Sequence, residues 1–120
     1  MTTNVFKDID TFATACDQEP SIKHYKMYLG LIDEEFNELL DAVTINDRVE
    51  QLDALVDILV VTIGAIRAAG WDAEGAWKEV MDTNFAKIDP VTGKVNKRAD
   101  GKVLKPEGWQ APQLTPFLGE

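Results

Sequence analysis

The stretch "VEQLDALVDILVVTIGAI", residues 49–66, constrains the fold most tightly. From Ala54 to Ile66 every position is apolar or small except Asp57 and Thr62. A run of this length without proline reads as a helix, and a helix apolar on all sides is expected to be covered on all sides. It is short for a membrane span and carries an acid, so a membrane helix is not expected. Asp57 is then expected inside the protein, where an unpartnered carboxylate costs several kcal/mol. It needs either a basic partner, such as Arg67 or a lysine, or a cation. Glu50, Asp53 and Asp57 follow one another at steps of three and four, which places them on one strip of the helix, with Gly64 continuing it and leaving room in front. Three like charges on one strip repel unless a cation joins them, which favours the metal.

A second acidic helix precedes it. Apolar or aromatic residues recur at Tyr25, Tyr28, Leu29, Ile32, Phe36, Leu39, Leu40 and Val43. The spacing predicts one long helix whose core stripe centres near Ile32 and Phe36. Within "LIDEEFNELLDA", residues 31–42, Glu34 and Asp41 then point to solvent. Glu35 and Glu38 lie on a strip shared with Leu31 and Ala42 and, three apart, can reach one point. Such a pair alone is common on surface helices. Opposite the acids of the other helix it makes an oxygen-rich ligand set suited to Mg²⁺ or Mn²⁺. The sole histidine, His24, is several turns away, so no Glu-x-x-His di-iron pair exists.

The remaining chain completes an all-α helical bundle built on these two long antiparallel helices. Residues 4–16 have helical spacing, Pro20 ends that helix, and Ser21 caps the next. "TIND" is the link between the acidic helices, with Asn46 or Asp47 as cap. Gly70 ends the second, and Asp72 caps a further helix in which Trp77, Val80, Met81 and Ile88 share a face, ended by Pro90. The helical core thus covers 1–88 of a single 120-residue domain. Residues 89–120 hold four of the five prolines and read as turns with a short hairpin. Half of the 12 basic residues fall between Lys87 and Lys105, a cationic segment suited to polyphosphate. Asn84 interrupts an apolar stripe with Lys87 three residues on, and Trp109 offers an apolar wall for a base.

The formal net charge of −9 argues against a nucleic-acid polymer as partner. One cysteine, Cys16, excludes an intrachain disulfide and is expected to serve packing. The opening "MTTNVFKDIDTF" is unlike a secretion signal, so a cytoplasmic protein is expected. A bundle of about three long helices has too few neighbours to cover the run at 49–66, so an oligomer is expected.

"EEFNE" followed by "EQLDALVDIL" resembles the E-E-x-x-E and E-x-x-D signature of the all-α nucleoside triphosphate pyrophosphohydrolases. The likeness extends through "LVDILVVTIGAIRAAGWD", "VMDTNFAKID" and "DGKVLKPEGWQAP", and is nearest to the MazG-like and phosphoribosyl-ATP pyrophosphohydrolase-like branch. The resemblance implies a helical homodimer or homotetramer that uses Mg²⁺ to hydrolyse a nucleotide to monophosphate and pyrophosphate. Glu34, Glu35 and Glu38 match the first motif, and Glu50 and Asp53 match the second by spacing. An Asp before two bulky apolar residues fits Asp57 equally. Glu35, Glu38, Asp53 and Asp57 are thus the expected ligands, with Glu50 at the rim and Glu35 or Glu34 accepting the proton from water. Asn84, Lys87, Lys102 and Lys105 match segments expected near phosphates. A non-catalytic helical module that binds metal or nucleotide is the alternative.

Overall fold

The computed structural model describes residues 4–119, whose regular elements are helices, with no strands among them. The four α-helices are α1 (Val5–Ala15), α2 (Ile22–Thr44), α3 (Arg48–Ala68) and α4 (Ala73–Phe85), followed by a 3-10 turn at Thr115–Phe117. The residues fall into two compact units, one ending at Ala73 and the other running from Glu74 to Leu118. Composition alone places a division after residue 88.

Each helix of the first unit starts at a polar cap that accepts from its exposed N–H groups. Asn4 caps α1, Ser21 caps α2 through the His24 amide, and Asp47 caps α3 through the Glu50 amide. The link from Ile45 to Asp47 is short, so α2 and α3 pack antiparallel. Their register is fixed along the length. The Ser21 amide donates to the Ala68 carbonyl at 3.0 Å, the Tyr28 ring lies against Gly64, and Gln51 Nε2 donates to the Ala42 carbonyl at 3.4 Å. A Cβ at Gly64 would collide with the Tyr28 ring, 2.8 Å from Cδ1 and 2.9 Å from Cζ, so the space expected in front of Gly64 is filled by that ring. Tyr28 centres a core with Val61, Ala65 and Ala68, against which Tyr25, Leu31 and Ile32 pack.

Arg67 ties α1 to α3. Its guanidinium donates to Asp10 at 2.7 Å, to the Gln18 carbonyl at 2.6 Å and to Thr14 Oγ1 at 3.2 Å. Cys16 is the C-cap of α1 and is exposed, not packed.

Three expectations about burial are corrected. The stripe of α2 that faces α3 runs through Tyr28, Leu31, Ile32, Glu35, Leu39 and Ala42, all buried or half-buried. Phe36, expected at its centre, is 51% exposed, and Leu40 and Val43 are exposed with it. On α3, the N-terminal half is covered on one side alone, with Leu52, Leu55, Val56 and Leu59 exposed, while Val61, Ile63, Gly64 and Ala65 are buried further along, where α1 and α2 are the helices that pack on it within the chain. Asp57 is consequently half-buried, not enclosed.

In the second unit α4 stops at Phe85, one turn before the expected end. The Lys87 and Ile88 amides turn back to the Asn84 and Phe85 carbonyls. Ile88 then pairs with Val95, and Lys97 with Val103, as isolated bridges in place of the expected hairpin. Around Asp89 the turn is held by the Val91 amide on its carboxylate and the Gly93 amide on its carbonyl, both at 2.8 Å.

Candidate functional site

The antiparallel register that sets Tyr28 against Gly64 and Ala42 against Gln51 also sets Glu35 and Glu38 of α2 opposite Asp57 and Asp53 of α3. The four acids act on one another. Burial pushes the Glu35 carboxyl up to about 7, helped by a hydrogen bond with Glu38 and by the charges of Glu38, Asp57 and Asp53. Burial also raises Asp57, followed by the charges of Asp53 and Glu38 and a hydrogen bond with Asp53. Every charge acting on these two groups is negative. Arg67, a conceivable partner for Asp57, is committed to Asp10.

Within each helix the acids pair with one another: Glu35 with Glu38, and Asp53 with Asp57. Among the described residues, no group of three or more His, Cys, Asp or Glu side chains is arranged to hold a metal ion. Two other observations fit a hard cation. The donor set is carboxylate oxygen alone, the kind that Mg²⁺ and Mn²⁺ prefer. Glu35 Oε2 is buried without a hydrogen-bond partner, an acceptor that lacks any donor.

The structure does not bring the other two acids of the motifs into this group. Glu34 is exposed, and Glu50 is exposed in the first turn of α3, where its amide is bound by Asp47. Neither is among the groups that shift Glu35 or Asp57.

The second unit gathers most of the remaining candidates around one ring. Trp109 Nε1 donates to the Thr83 carbonyl at 2.7 Å, which fixes the indole on α4. Lys87 Nζ lies over that ring at 5.0 Å from its centroid, and Lys105 Nζ at 4.9 Å. Lys87 also donates to Asn84 Oδ1 at 3.2 Å. Asn84 is exposed, not a core residue. Lys102 is held by its backbone, whose amide donates to Asp100. The sequence gives no hint that Thr83 anchors Trp109, because a backbone carbonyl carries no residue signature.

No helix among the described residues is long and apolar enough to cross a membrane. No individually curated protein matches the chain. The family model for phosphoribosyl-ATP pyrophosphohydrolase matches residues 9–84, more than half of the sequence, and spans both α2 and α3 with their four facing acids. That match supports nucleotide pyrophosphohydrolase activity in general, in a family whose hydrolases are typically dependent on divalent metals. With this match, its all-helical fold and its paired acidic helices, the chain belongs to the phosphoribosyl-ATP pyrophosphohydrolase family, in the MazG-like branch of nucleotide pyrophosphohydrolases.

Proposed function

We propose that this protein hydrolyses a nucleoside triphosphate or a related nucleotide between its α and β phosphates, releasing a monophosphate and pyrophosphate. The observation that carries the reading is the facing set Glu35, Glu38, Asp53 and Asp57, in which the charges that raise Glu35 and Asp57 are those of the neighbouring carboxylates. In this reading these four residues hold Mg²⁺ or Mn²⁺, with Glu50 and Glu34 outside the first set of contacts. When bound, the cation polarises the phosphate oxygens and offsets their charge.

The chain's own residues do the rest. Water attacks the α phosphorus, the bond to the bridging oxygen breaks, and pyrophosphate leaves. Glu35 takes the water's proton, since its Oε2 is the buried oxygen without a donor. Its partial burial keeps bulk water from competing for that oxygen. Within the second unit, Lys87, Lys102 and Lys105 are the groups that bind phosphate oxygens, while Asn84 positions Lys87. Trp109 binds the base side of the substrate.

A second copy of the chain covers the exposed apolar faces of α2 and α3, giving a homodimer or homotetramer. Phe36, Leu40, Leu55 and Leu59 are the large side chains that such contact removes from water.

Separating the products of a nucleotide panel by anion-exchange chromatography in Mg²⁺ tests the reaction. Monophosphate with pyrophosphate is expected, and diphosphate with orthophosphate contradicts it.

A further inference from the structure

Beside Trp109 the second unit holds an open pocket of about 510 Å³, in the size range of small-molecule sites. Its apolar wall is built by Trp109, Ala86 and Pro106, and the charged side chains lining it are Asp82 and Glu107. No lysine or arginine lines it. Asp82 gives one oxygen, Oδ2, to Lys78 at 2.8 Å. Thr83 spends its hydroxyl proton on the Val80 carbonyl, so toward a ligand that hydroxyl is an acceptor. The pocket therefore offers a flat apolar wall whose charged rim groups, Asp82 and Glu107, accept hydrogen bonds, with the neutral amide of Gln110 beside them.

The neighbouring side chains have the opposite character. Lys87 and Lys105 both stand within about 5 Å of the same indole centroid, two ammonium groups that an anion would draw together. A ligand matching both regions is anionic at one end and, at the other, a flat ring bearing N–H donors. A nucleotide with an amino-substituted base has this form.

We propose that the pocket beside Trp109 receives the nucleobase and selects bases that carry an exocyclic amino group, adenine or cytosine over hypoxanthine or uracil. The inference rests on the proposed function only in taking the ligand to be a nucleotide. Glu107 and Asp82 accept from the amino group, while a carbonyl at the same position meets carboxylates that repel it. The base takes the place of an ammonium group over the indole as the lysines turn to the ligand's anionic end; that stacking is open to any base, so selection falls to the acids.

The test titrates the full chain, in Mg²⁺, with AMP and IMP, and separately with CMP and UMP. The indole N–H resonance of Trp109 is the readout, assigned with Trp109→Phe. It should shift saturably, with AMP binding about tenfold more tightly than IMP and CMP more tightly than UMP, the discrimination of one hydrogen bond to a charged group. Glu107→Gln alters an exposed side chain and should move both ratios toward one. Equal affinities, a preference for IMP or UMP, a silent Trp109 resonance, or an unchanged ratio in Glu107→Gln would each overturn the proposal. Pyrophosphate release from ATP and ITP on the same preparation separates the two readings. Release without base discrimination defeats the pocket alone, and discrimination in binding without release defeats the hydrolysis alone.

Discussion

Glu35 shows how one residue acquires a chemical role from its neighbours. Its carboxyl ordinarily titrates near 4.5 and is pushed up to about 7 by burial, by Glu38 and by the two aspartates opposite. The folded protein thus holds that proton more tightly than the unfolded chain does. The resulting stabilisation is complete below about pH 4.5 and is lost as pH rises through about 7. Asp57, also raised, contributes with the same sign. In EDTA the melting temperature should therefore fall between about pH 5 and about pH 8, and Glu35→Gln should flatten that fall. Parallel pH profiles for the two proteins would show that Glu35 does not carry the shift. The grouping of Glu35, Glu38, Asp53 and Asp57 was legible in the sequence because helical steps of three and four are strict geometry. The same helical geometry sends Glu34 to solvent, where it lies, although the motif includes it; Glu50, on the strip of Asp53 and Asp57 by spacing, is exposed outside the group, since motif spacing does not say which acid faces the neighbouring helix.

At the scale of elements, α2 and α3 were legible in extent, and their caps fell at Ser21 and Asp47, one expected and the other one of two candidates. The covered face of α2 was not legible. Phe36 and Ile32 are equally apolar, and hydrophobic periodicity cannot distinguish a face that packs within the chain from one left exposed. The end of α4 was missed for a different reason. Ile88 continues the apolar pattern, but it is drawn into pairing with Val95 two residues before Pro90. The contact between Gly64 and Tyr28 gives this scale its prediction. Adding a methyl group in mid-helix ordinarily stabilises by up to about 1 kcal/mol. Gly30→Ala, with nothing near its would-be Cβ, should follow that rule. Gly64→Ala instead intrudes on the Tyr28 ring and should cost about 1–3 kcal/mol in urea denaturation. Equal effects at the two glycines would mean that Tyr28 does not fix the register of α2 on α3.

For the whole molecule, the exposed apolar side chains of α2 and α3 are the largest departure from what a self-sufficient chain would show. Leu52 is 64% exposed and Phe36 51%, in helices that also carry Leu40, Leu55, Val56 and Leu59 exposed. Light scattering at micromolar concentration should give a mass of at least twice 13.3 kDa, and Phe36→Glu should lower it. A monomeric mass for the unaltered chain would contradict self-association. In the proposed function the four facing carboxylates form one cation site that serves hydrolysis. Its most direct measurement follows free Mn²⁺ by electron paramagnetic resonance as chelator-stripped protein is added, with pyrophosphate release recorded on the same samples. The unaltered protein should deplete the free Mn²⁺ signal and release pyrophosphate. A Glu35→Gln, Asp57→Asn double variant, shown to be folded by circular dichroism, should do neither, and Mn²⁺ uptake or turnover equal to the unaltered protein's would contradict the claim.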